Sequence, residues 1–213
     1  MYTSTVLKGV RVHPNRRLMR SYLTSVIVTV ALAIPAAAQQ PADSASRVHI
    51  DNFGQVSATY YRGAQPHGRD YADLAALGVK TVINLTSDDA APDEAALTKQ
   101  AGMKYVQIPM TTHEPPTAAQ LAAFFQIVND PASQPVYVHC VGGRHRTGVM
   151  TAMYRITDDG WTGARAFQEM KQYKFGSDFL HPEFKAFVID YHAAPANAAS
   201  ATTTAAKKAD VKP

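Results

Sequence analysis

One cysteine, Cys140, stands in 213 residues, so no disulfide can close within the chain and no second thiol can rescue an oxidised one. Walker-type phosphate loops and dinucleotide-binding fingerprints are absent. His13, His49, His67, His181 and His192 show no metal-ligand spacing and read as surface or packing residues. No metal or cofactor is therefore expected. Internal repeats are lacking too. The longest apolar stretch, Tyr22 to Ala38, is 17 residues with hydroxyls and a proline in it, which makes it marginal for a bilayer span.

A general basic field is also missing, although the formal net charge is +4. Five of the 21 Lys and Arg residues (Lys8, Arg11, Arg16, Arg17 and Arg20) and none of the 17 Asp and Glu lie before residue 39, leaving 16 cations against 17 anions. That balance excludes a nucleic-acid partner as an inference from charge. The basic cluster, the apolar run Val26–Ile34 and Pro35-Ala36-Ala37-Ala38 have the order of a secretory signal, expected to be removed after Ala38. A retained membrane anchor is the competing reading. An exported, periplasmic or secreted, monomeric product with no stable membrane insertion is expected.

What is present is one domain's worth of hydrophobic residues, 46% of the chain. Residues 39–47 read as a polar linker, 48–192 as a single α/β domain with a mainly parallel sheet flanked by helices, and 193–213 as a disordered, alanine-rich tail. Strands are expected at Val56–Tyr61, Lys80–Leu85, Tyr105–Met110 and Val136–His139. Helices are expected at Asp70–Leu77, Asp93–Gln100, Thr117–Asn129, from Thr147 onward, Trp161–Tyr173 and Pro182–Tyr191.

The most informative stretch is Pro-Val-Tyr-Val-His-Cys-Val-Gly-Gly-Arg-His-Arg-Thr-Gly, residues 135–148. A buried strand, Val136–His139, runs into a loop, and Thr147 reads as the hydroxyl N-cap of the next helix. Loops between a strand's carboxyl end and a helix's amino end bind anions, through unpaired N–H groups and the helix dipole. Gly142 and Gly143 allow the backbone to curl into an anion nest, which Val141, Gly142, Gly143, Arg144 and His145 would line. A phosphate fits such a cup, with Arg146 gripping two of its oxygens. Cys140, at the bottom of the positive potential, should ionise more easily than a free thiol and attack phosphorus in line. A rhodanese-like sulfurtransferase also carries a cysteine in such a loop, but has no particular need of Arg146 and Thr147.

His139, Cys140, Arg146 and Thr147 match the His-Cys-x5-Arg-Ser/Thr loop, and the chain resembles the cysteine-dependent protein tyrosine phosphatase superfamily. Within it the small atypical dual-specificity phosphatases are similar in Tyr61-Arg62-Gly63-Ala64-Gln65-Pro66, Lys80–Leu85, Ile108-Pro109-Met110 and Gly143–Gly148. The resemblance spans roughly residues 48–192. It implies a phosphatase fold and hydrolysis of a phosphorylated protein or a small phosphorylated substrate through a phosphocysteine. His139 is expected to orient the loop and tune Cys140, and Thr147 to hydrogen-bond the sulfur. The family's proton donor is usually an aspartate on the loop here reading Thr111-Thr112-His113-Glu114-Pro115-Pro116, which has none. Glu114 is the closest chemical substitute, His113 is next, and Asp88 or Asp89 could reach over from the neighbouring strand exit. Arg144 stands where relatives acting on inositol phosphates or phosphoinositides often carry a lysine, so that substrate class is the alternative. A phosphate-binding module without turnover is the alternative of another class.

Overall fold

A computed structural model of the chain describes residues 48–87 and 89–193. The expected signal segment, the linker, Asp88 and the tail beyond Ala193 lie outside the described residues. Among the described residues no helix is long and apolar enough to cross a membrane.

Five short strands form one sheet: β1 (Gly54–Ser57), β2 (Tyr60–Gly63), β3 (Thr81–Asn84), β4 (Lys104–Gln107) and β5 (Val136–His139). Their order across the sheet is β1-β2-β5-β3-β4. β2, β5, β3 and β4 run parallel and β1 pairs antiparallel with β2. Every residue of β3 and β5 is buried, because helices cover both faces of the central strands. The period of two then sorts the side chains. Val136, Val138 and Ile83 face one core with Phe124 and Met150, while Tyr137 and Val82 face the other with Tyr71 and Leu74.

Among the described residues six helices follow in chain order: α1 (Asp70–Ala76), α2 (Glu94–Gln100), α3 (Ala118–Val128), α4 (Arg146–Thr157), α5 (Gly163–Gln172) and α6 (Pro182–Asp190). α4 is the pivot of the layering. Met150 packs toward the sheet, whereas Val149, Ala152 and Met153 pack against Ala166, Phe167, Met170, Phe184 and Val188 of α5 and α6. α3 opens with a reciprocal capping box: the Gln120 N–H donates to Thr117 Oγ1 at 3.2 Å, and the Thr117 N–H donates to Gln120 Oε1 at 2.7 Å. Gln120 Nε2 also donates to the Pro109 carbonyl at 2.6 Å, tying the loop after β4 to the start of α3.

Two expectations are corrected. The single strand at Val56–Tyr61 is an antiparallel hairpin, β1 to β2, turning at Ala58-Thr59. The turn has no glycine, proline or asparagine to announce it; the Thr59 N–H donates to Ser57 Oγ at 3.3 Å instead. Thr147 is not the N-cap of its helix. α4 begins at Arg146 after His145, which makes no capping hydrogen bond through its side chain, so Thr147 sits within the first turn.

Candidate active site

The loop from Cys140 to His145 leaves the carboxyl end of β5 and enters α4, and its shape follows from where its carbonyls go. Val141 O accepts the Gln65 N–H at 3.1 Å, Gly142 O accepts Asn52 Nδ2 at 2.9 Å, and Gly143 O accepts Arg62 Nη2 at 2.5 Å. In a trans peptide the next N–H points opposite the carbonyl, so anchoring these three carbonyls outward turns the N–H groups of Gly142, Gly143 and Arg144 the other way, toward the cleft. This is the anion nest. Gly143 has φ +63°, and a Cβ there would meet the Gly63 carbonyl group at 2.4 Å, so this position requires glycine on both counts. Beyond it, the first turn of α4 adds amide groups that no side chain caps.

A cleft of about 400 Å³ opens over the nest, lined by Asp89, Thr112, Cys140, Val141, Gly142, Arg144, His145 and Arg146. Cys140 is 3% exposed at its floor. Arg146 is 3% exposed as well, and its fork is occupied: Nη1 donates to Asp89 Oδ1 at 2.8 Å and Nη2 to Asp89 Oδ2 at 2.6 Å. Burial lowers the basicity of Arg146, the hydrogen-bonded Asp89 raises it, and the net shift is upward. The same hydrogen bonds hold the Asp89 carboxyl below the usual range, so it is ionised in the substrate-free site. Arg144, its side chain 48% exposed, lies at the rim, 4.0 Å from Asp51. His145 Nε2 donates to the Phe175 carbonyl at 2.9 Å, and burial pushes the pKa of His145 down. Thr147 is fully buried and its hydroxyl makes no hydrogen bond among the described residues.

Beneath the loop lies a polar layer that sequence reasoning missed. His139 Nε2 meets Glu94 Oε1 at 2.6 Å, and both side chains are fully buried. Asn84, paired with His139 in register, donates from Nδ2 to Glu94 Oε2 at 2.5 Å. Asn84 Oδ1 in turn accepts the Thr86 N–H at 2.7 Å and its hydroxyl at 2.6 Å. A single signal pointed here: Glu94 and Thr98, one turn apart on α2, are the polar residues of its buried stripe. Arg62 is a second omission. It is fully buried, clamps the loop through Gly143 and stacks on the Tyr173 ring at 3.9 Å.

Glu114, the expected proton donor, does not line the cleft. It is exposed and borders a separate small pocket with Ser87, Met110, Thr117 and Gln120. From that loop Thr112 reaches the cleft, and His113 turns to His181, with ring centroids 6.1 Å apart. Among the described residues, the carboxylate brought to Cys140 and Arg146 is Asp89.

A family model described as DSP-PTPase phosphatase fused to NAD+ kinase matches residues 37–185. The chain belongs to this family of DSP-PTPase phosphatases. Among curated relatives, it is similar to the dual specificity protein phosphatase TpbA of Pseudomonas aeruginosa, 35% identical over 127 residues that cover 60% of this chain and 56% of TpbA. It is also similar to the inositol diphosphatase SIW14 of Saccharomyces cerevisiae, 27% identical over 130 residues that cover 59% and 46%. The chain thus spans about half the length of these relatives. The crystal structure of P. aeruginosa TpbA in complex with pTyr superposes with a TM-score of 0.57 at 30% identity, covering 71% of this chain and 86% of that one. The sheet order and the cysteine loop described above are this phosphatase fold.

Proposed function

We propose that the chain is an exported, cysteine-dependent phosphatase that hydrolyses phosphotyrosine and other phosphate monoesters. The observation that carries the reading is the convergence in one cleft of Cys140, the inward amides of residues 142–144, the buried Arg146 fork and the ionised Asp89. A phosphate dianion takes the cup and the fork, displacing Asp89 from Arg146, and the freed carboxylate, now beside the dianion, takes up a proton from solvent. The Cys140 thiolate attacks phosphorus as the ester P–O bond breaks, and the departing oxygen takes a proton from Asp89. Water then attacks the phosphocysteine, giving its proton back to Asp89, while the P–S bond breaks and the unpartnered Thr147 hydroxyl hydrogen-bonds the returning thiolate. His139, held by Glu94, keeps the strand end and the loop in register. Donors preset around the developing charge make the largest contribution to lowering the barrier.

The proposal draws on the pTyr held by TpbA for its substrate class, and on residues 1–38 for export. A second reading, an inositol phosphate or diphosphate as substrate, has one specific observation behind it: Arg144 projects at the rim of the cleft, where a further anionic group of the substrate would lie. The test is turnover of an aryl phosphate, a phosphotyrosine peptide and inositol polyphosphates by the full chain. Cys140→Ser and Arg146→Ala should each abolish turnover with the fold intact, by loss of the nucleophile and of the bidentate clamp. Turnover retained in purified Cys140→Ser would end the covalent mechanism, and phosphate affinity without any turnover would make the chain a binding module. Mass spectrometry of the native product should find an amino terminus at Gln39.

A further inference from the structure

We propose that His113, His181 and Glu183 form a site for a divalent transition metal of the zinc class, which ties the loop after β4 to the start of α6. Two imidazoles and one carboxylate are a zinc donor set, with water left to complete a tetrahedron. The donor atoms of the three residues lie within 4.8 Å of one another. His181 Nδ1 and Glu183 Oε1 face each other at 3.4 Å. Donors bound to zinc at about 2.0–2.1 Å sit roughly 3.4 Å apart in a tetrahedron, so this pair already has the spacing an ion requires. His113 is exposed and needs only a small swing to close the set.

The second observation is that the pair has no other satisfaction. His181 Nδ1 and Glu183 Oε1 are both buried atoms without a hydrogen-bond partner among the described residues, although they point at each other. Buried polar atoms left in this way call for an ion or a water. The rings around His181 fix its orientation: Phe184 stacks on it at 5.7 Å, and His145 lies 3.9 Å away with its own Nε2 engaged by the Phe175 carbonyl. His145 is thereby spoken for and the site stays at three protein ligands. His113 and His181 are 68 positions apart, which is why no spacing motif announces them.

The consequence is mechanical. Thr112, next to His113, lines the catalytic cleft, and His181 packs on His145 of the cysteine loop. An ion on the three ligands would couple these two walls of the cleft without touching the phosphoryl group.

The experiment uses the full chain carrying Cys140→Ser, so that the nucleophilic thiol is not a competing ligand. Zinc binding is measured by competition with a chromogenic chelator, thermal unfolding with and without zinc, and cobalt substitution by visible absorption. One zinc per chain, a raised Tm and the intense bands of four-coordinate cobalt are expected. His113→Ala and Glu183→Gln should each weaken binding by more than about 10-fold, and the double substitution should remove both the Tm shift and the cobalt bands. His113 is exposed and Glu183 lies in the first turn of α6, so circular dichroism should match the parent. Zinc affinity unchanged in the double variant, or no saturable one-to-one binding at low-micromolar zinc, would overturn the site and leave His181 and Glu183 as an ion pair.

Discussion

Replacing Asp89 by asparagine should strengthen the binding of inhibitory oxyanions while slowing catalysis on poor leaving groups. The Arg146 fork that a phosphate needs is held by Asp89 through two hydrogen bonds of 2.6 and 2.8 Å, and it cannot hold both partners at once. Whatever free energy the pair has is therefore subtracted from phosphate affinity. The Asp89 side chain is 40% exposed, so the pair belongs at the upper end of the solvent-exposed scale rather than among buried pairs, at about 1 kcal/mol. That corresponds to about fivefold tighter inhibition by sulfate, a dianion that cannot be turned over. As the proposed acid, Asp89 also sets the leaving-group dependence. Its loss should cost about 10²–10⁴-fold in kcat on an alkyl phosphate, and little on an activated aryl phosphate whose anion leaves unaided. The proton linkage has a definite sign. Asp89 has a lowered pKa beside Arg146 and a higher one once the dianion has displaced it, so binding takes up a proton and sulfate affinity rises as the pH falls. That slope should vanish in Asp89→Asn. Sulfate inhibition that is unchanged or weaker, together with an unaltered leaving-group dependence, would refute both roles and return the acid to Glu114 or His113.

Truncating Glu94 to alanine should destabilise the fold by about 3–5 kcal/mol in chemical denaturation, because His139 and Asn84 lose a fully buried partner. Gly143→Ala should leave the sheet intact but lose phosphate binding, since φ +63° and the Gly63 carbonyl both oppose a side chain; an oxyanion affinity equal to that of the parent would contradict the nest. Asp158, exposed just past α4, has its pKa raised by partial desolvation and by Asp159, against a hydrogen bond from Asn129 that lowers it, so its ionised form is mildly disfavoured in the fold. Its stabilising contribution is present below about pH 4 and is lost as the pH rises through the raised folded value. Asp158→Asn should therefore stabilise the protein by about 0.3–1 kcal/mol at neutral pH, read as a higher Tm, with the gain fading in acid.

The parts of the fold legible in the sequence are those where one local rule acts alone. Val136–His139 is legible to the residue because a β-branched and aromatic run ends at a polar His-Cys pair, and α3 to within one residue at each end through its apolar face of Leu121, Phe124, Phe125 and Val128. The β1–β2 hairpin was illegible because its turn uses serine and threonine, which carry a weaker turn signal than glycine or asparagine. Glu114 comes first because it stands on the loop where the resembling family usually carries its aspartate, with Asp89 among the alternatives as a residue that could reach over from the neighbouring strand exit. The sheet order β5-β3-β4 brings the exit of β3 beside the cysteine loop, and with it Asp89, from a segment 57 residues away from Arg146.

The same distinction explains why the cysteine loop could be read and its support could not. Glycines, spacing and a strand-to-helix passage announce the nest within 14 residues. What fixes its curl is three carbonyl anchors from outside it, Asn52, Arg62 and the Gln65 amide, all on the β1–β2 side of the sheet. Arg62 is the most telling of these. A fully buried guanidinium with one strong bond to Gly143 O and an aromatic face beneath it is costly to desolvate, and burial pushes its pKa down. Such a cost persists where the group holds a geometry that cheaper residues cannot. Turning the Gly143 carbonyl outward is what turns the Arg144 amide inward, so Arg62 acts on bound phosphate through the backbone. A lysine at residue 62 would keep the charge but lose the planar stack on Tyr173, and should cost more in oxyanion affinity than in stability.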